Sequence, residues 1–166
     1  MFATLLLLQA ATSPVDPIEP AWQGKVQCHN PDRLRKTCRS IGSYARAADG
    51  AIQNTAVVLL NAQPAIVMTS VSPGQIKGDA ICGKIRSPES GTFTVNGVPA
   101  PKDVEATLRK AVATATSSIA DREICTSYIR DGDALASQVR VDGVRRPELD
   151  MQVLWVDPAE GFAVRP

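Results

Sequence analysis

An α+β domain is predicted, an antiparallel sheet of hairpins and meanders packed by one main helix and stapled by disulfides. Three observations predict it. Short β-branched runs separated by Gly, Pro and Asn/Asp turns recur along the chain, a single stretch over residues 101–121 switches to helical spacing, and the four cysteines make an even set. Strands come first, then the helix, then strands again, with no βαβ alternation, which favours antiparallel pairing.

The chain opens with an apolar run over residues 2–8 followed by the small residues Ala10, Ala11 and Ser13, the pattern of an export signal over residues 1–13. The run stops at Gln9 and is well short of the ~20 apolar residues a transmembrane helix needs. No basic side chain precedes Lys25, so the positive start of such a signal rests on the amino group alone. Residues 14–21 carry Pro14, Pro17 and Pro20 and are expected to form an extended, loosely ordered leader. Order is expected from about Trp22, and residues 22–166 suit a single domain with one core.

Residues 25–28 are the first strand candidate. Residues 37–46 and 54–60 flank Asp49-Gly50, a hairpin turn signal, and residues 65–71 continue the sheet until Ser72-Pro73-Gly74. Residues 76–86 alternate and extend the meander, and residues 91–101 contain a small hairpin at Asn96-Gly97. In the helix, Val104, Leu108, Ala111, Val112, Ala115 and Ile119 form one apolar stripe, expected to bury against the sheet. Pro101 suits its first position, and Asp103 and Glu105 suit the positive end of its dipole. Residues 123–130 and 135–141 form a hairpin around Asp131-Gly132-Asp133, Asp142-Gly143 turns the chain again, and residues 152–156 and 161–164 supply the last strands.

Cys28, Cys38, Cys82 and Cys125 allow three connectivities. Cys28 with Cys38 is favoured because it closes a loop around Asn30-Pro31-Asp32, and Cys82 with Cys125 because it joins the strands flanking the helix. The chain-entropy relation assigns about 3 and about 4 kcal/mol to loops of these sizes. Zinc is disfavoured: the closest cysteines are ten positions apart and the only histidine is His29.

A net charge of +1 leaves no field to attract nucleic acid or an anionic membrane. Locally the charge is uneven. Lys25, Arg33, Arg35, Lys36, Arg39 and Arg46 face Asp32 alone over residues 25–46, whereas residues 121–160 hold nine acids against five arginines. Arg33, Arg35 and Lys36 form a candidate partner-binding loop; a solvated loop pairing with the acidic half explains the same charges without a partner.

No catalytic constellation emerges. His29 adjoins Cys28 and is expected to be an exposed loop residue, neighbours in a strand point to opposite faces, and no Gly-x-Ser-x-Gly or Ser-x-x-Lys pattern is present. Asp131, Asp133 and Asp142 invite calcium but fit hairpin turns better. Asp121, Glu123, Glu148 and Asp150 offer carboxylates, yet nothing in their spacing selects a pair. No metal or other cofactor is expected.

Trp22 to Cys28, Pro31-Asp32, Lys36 to Ile41, Lys77 to Gly83 and Arg122 to Tyr128 together resemble small exported proteins of alphaproteobacteria, a group without an established activity. The likeness runs over nearly all of the chain after the signal. It implies the compartment and the disulfides, and carries no catalytic residue. The expected function is therefore a noncatalytic, disulfide-stabilised module, periplasmic or secreted, that binds a protein or an envelope component. The alternative is an envelope hydrolase whose carboxylates only the fold brings together.

Overall fold

The computed structural model describes residues 16–85 and 91–166, so the export signal expected over residues 1–13 lies outside the described residues. Strands β1 (Val26–His29), β2 (Thr37–Cys38), β3 (Ser40–Arg46), β4 (Ile52–Asn61), β5 (Ile66–Lys77), β6 (Ala80–Lys84), β7 (Thr92–Val95) and β8 (Val98–Pro99) precede helix α1 (Lys102–Thr116). Strands β9 (Glu123–Asp131), β10 (Ala134–Val141), β11 (Val144–Arg145), β12 (Gln152–Val156) and β13 (Ala163–Val164) follow it.

Eight of these strands pair antiparallel in the order β4-β3-β1-β12-β10-β9-β6-β5, and β5 pairs back onto β4, closing a barrel. The expected sheet packed by a main helix is thus corrected to a mostly β molecule whose sheet packs on itself. Closure gives every strand an enclosed inner face, so the sheet needs no helix to cover it. Helix α1 has no buried residue and touches the rest chiefly at β7. It also ends at Thr116, short of residue 121, with Pro101 as its N-cap.

The hairpins at Asp49-Gly50, Asn96-Gly97 and Gly132 form where expected. Strand β5, however, runs through Pro73 and Gly74 instead of stopping there. Its residues 66–69 pair with β7 and residues 74–77 with β6, leaving 70–73 with β4 as their only partner strand among the described residues. A proline is tolerated where one strand edge has no ladder to feed.

Inside the barrel, Ile52 and Ile81 pack with Tyr44, Ile76, Tyr128 and Trp155. A 3₁₀ turn over Glu19–Gln23 drops Ile18, fully buried, and Ala21 onto this cluster. Residues 16–21 of the segment expected to be a loose leader therefore plug one end. Asp16 braces the turn, accepting hydrogen bonds from the Trp22 Nε1 (2.8 Å) and the Ile18 backbone N–H (2.9 Å), and Arg46 of β3 ties it to the barrel, 3.9 Å from Asp16 and 4.1 Å over the Trp22 ring.

A second cluster lies on the other face of β1. Cys28, Cys38 and Val156 pack with Val26, Ile41, Leu154 and Phe162, beneath the C-terminal segment whose β13 pairs with β2. Both favoured disulfides are present, Cys28–Cys38 and Cys82–Cys125. Among the described residues no helix is long and apolar enough to cross a membrane.

Candidate functional site

Residues 30–37 leave β1 and return to β2 as a braced loop. Asn30 and Lys36 take left-handed backbone angles at its two ends (φ 48° and 51°). Asp32 and Thr37 exchange backbone hydrogen bonds of 2.8 and 3.0 Å. Asp32 Oδ1 accepts the N–H groups of Leu34 and Arg35, both at 3.0 Å, an Asx-type turn. The Cys28–Cys38 bridge ties the loop's base, and the Arg165 guanidinium donates to the Arg35 carbonyl at 3.2 Å.

The three basic residues expected to meet a partner are each engaged within the chain. Arg33 pairs with Asp133 at 2.5 Å, Arg35 with Asp32 at 3.5 Å, and Lys36 Nζ donates to the Glu160 carbonyl at 2.9 Å. Only the Arg33 contact pairs a loop cation with a carboxylate of the acidic half. What the loop presents outward is Leu34, 97 % exposed at its tip. Sequence reasoning overlooked it. The available signal was a lone apolar side chain inside Arg-Leu-Arg-Lys, within a loop framed by cysteines.

His29, expected on an exposed loop, is instead the last residue of β1, directly opposite Ser40 of β3. Its Nδ1 lies 2.9 Å from Ser40 Oγ. Burial lowers the imidazole from 6.5 to about 4, so the ring is neutral near pH 7. The pair has a base next to a hydroxyl, but Ser40 is 8 % exposed and sits within a paired strand, sealed from a substrate. Next to it, the Tyr44 and Tyr128 hydroxyls both donate to Gln27 Oε1, at 3.0 and 3.3 Å. Burial raises both phenols.

Three of the four candidate carboxylates, Glu123, Glu148 and Asp150, are ion-paired within the chain. Arg145 beside Asp150 and Arg146 beside Glu148 hold these two carboxyls below their ordinary range. A general acid requires the opposite displacement. Glu123 is paired with Lys77 at 2.5 Å. Asp142, considered for calcium, accepts the Glu123 N–H (2.9 Å) and Arg122 Nε (2.7 Å).

A groove of about 330 Å³ opens on the outer barrel wall, lined by Pro73, Gln75, Lys77, Cys82, Lys84 and Glu123 among others. The sulfurs of Cys82 and Cys125 and a Glu123 oxygen lie within 4.8 Å of one another. The bridge occupies both sulfurs, so this triplet is not a ready metal site. No family model, no curated protein and no solved structure matches the chain.

Proposed function

We propose that the chain is an exported, noncatalytic recognition module, periplasmic or secreted, that binds a protein or envelope component through the loop over residues 30–37. One observation carries this: Leu34 stands almost wholly in water at the tip of a loop whose backbone is fixed on every side. Leaving a leucine exposed forgoes about 1.5–3 kcal/mol of burial. A fixed loop avoids the ordering cost that binding imposes on a mobile one. Arg33, Arg35 and Lys36 then form a polar rim around an apolar anchor. The two disulfides support a compartment that oxidises thiols, in keeping with the resemblance to exported alphaproteobacterial proteins.

The test is capture from an envelope extract with wild-type chain, Leu34→Asp and the triple alanine variant of Arg33, Arg35 and Lys36 as baits. A specific band should be lost with Leu34→Asp and weakened with the triple variant. Equal capture by all three baits would rule out this loop as the binding site.

A further inference from the structure

The two bridges occupy unlike places. Cys28–Cys38 lies inside an apolar cluster, with its cysteines 0 % and 2 % exposed, at the base of the braced loop over residues 30–37. Cys82–Cys125 joins two residues directly opposite each other on neighbouring strands, with Cα atoms 4.0 Å apart. The β6–β9 ladder around it pairs Ala80 with Ser127 through Lys84 with Glu123. Opening this bridge therefore leaves its two strands joined by backbone hydrogen bonds, whereas the other bridge is sealed from solvent by the cluster around it.

Surroundings differ as well. Cys82, itself only 2 % exposed, lines the outer groove together with Lys77, Lys84 and Glu123. Cys125 is partly exposed, Arg140 of β10 stands opposite it in register, and its Sγ lies 3.7 Å from Glu123 Oε2. Cations near a sulfur favour its thiolate, and Lys77 and Lys84 line the groove that Cys82 shares. The two sulfurs thus differ in access: a thiolate arriving from solvent meets the partly exposed Cys125, and the buried Cys82 is the sulfur that departs.

We propose that Cys82–Cys125 is a thiol–disulfide exchange site, opened stoichiometrically by a dithiol reductant, and that Cys125 is the sulfur attacked. One thiolate of the dithiol attacks Cys125 Sγ, forming a mixed disulfide; the Cys82–Cys125 bond breaks, and its electron pair leaves on Cys82 as a thiolate in the groove with Lys77 and Lys84. The second thiol of the donor, losing its proton, then attacks the donor's own sulfur in the mixed disulfide and releases Cys125, which takes up a proton and donates to Glu123. Two electrons and two protons pass from the dithiol to the protein. The donor ends as a disulfide and the protein, once Cys82 is protonated, as two thiols. This site is separate from the loop over residues 30–37, so either assignment can fail alone.

The test incubates the oxidised full chain with dithiothreitol in native buffer, quenches by alkylation at intervals and maps the labelled cysteines by mass spectrometry. Cys82 and Cys125 should be labelled at least tenfold faster than Cys28 and Cys38, with the far-UV circular dichroism unchanged. Removing the dithiothreitol and adding oxidised glutathione should restore the bridge. Simultaneous opening of both bridges, opening only as the β signal collapses, or earlier opening of Cys28–Cys38 would overturn the assignment. Two variant sets test its polarity. Lys84→Gln should slow opening of Cys82–Cys125 severalfold and leave Cys28–Cys38 unchanged. With oxidised glutathione, Cys125 of Cys82→Ser should form the mixed disulfide at least tenfold faster than Cys82 of Cys125→Ser; the reverse order would refute attack at Cys125.

Discussion

A histidine held neutral inside a folded chain makes stability depend on pH with a definite sign. His29 has its pKa lowered to about 4 by burial, against 6.5 when exposed. Below pH 6.5 the unfolded chain therefore binds a proton that the folded chain refuses. The contribution is fully present above pH 6.5 and is lost as pH falls toward 4, up to about 3 kcal/mol for a displacement of this size. Urea unfolding at pH 7, 5.5 and 4.5 should show wild type losing more stability on acidification than His29→Gln, which keeps a polar side chain but cannot charge. Parallel pH profiles would contradict the buried placement. His29 was not legible from sequence because β1 inverts the usual alternation. Polar Gln27 and His29 face the lumen, while apolar Val26 and Cys28 face outward beneath Phe162. A rule that sends polar residues to water misplaces this strand, and only the C-terminal cover explains it.

At the scale of elements, turn chemistry was more legible than packing. Asp49-Gly50, Asn96-Gly97 and Asp131-Gly132 mark real hairpins because glycine or asparagine accepts the positive φ these turns need. Helix α1 was legible from its stripe and its acidic first turn; what the stripe packs against was not. Val104, Leu108 and Val112 are only half-covered, and Arg109, over the Phe93 ring at 5.5 Å, helps tie the helix to β7. An element held this lightly opens alone. Hydrogen exchange should show α1 amides exchanging well before those of β9 and β10. Leu108→Ala should cost about 1 kcal/mol, against about 2–5 kcal/mol for Ile81→Ala in the lumen. Equal costs would mean that the helix covers core after all. Pro73 misled for a related reason: its effect on a strand depends on whether the neighbouring edge is paired, and that is decided by where β6 and β7 attach to β5.

At the scale of the molecule, closure joins segments far apart in sequence. β1 pairs with β12, bringing residues near the start of the described chain against those near its end, and β6 pairs with β9 across α1. Such pairings leave no local signature, which is why individual strands could be read while their closure into a barrel could not. A closed barrel still has open ends, and here Ile18 fills one, against Ile52 and Ile81. Ile18 belongs to the segment expected to be a loose leader, yet it is part of the core. Ile18→Ala removes buried methylenes where the surrounding strands, fixed by their ladders, cannot collapse inward. The expected cost is about 2–4 kcal/mol in urea unfolding, with an unchanged denaturant slope. Ile129→Ala, on the outer wall and 49 % exposed, should stay within about 0.5 kcal/mol. If Ile18→Ala were as mild as the outer-wall control, the plug would contribute nothing and the barrel interior would have to be held by its eight strands alone.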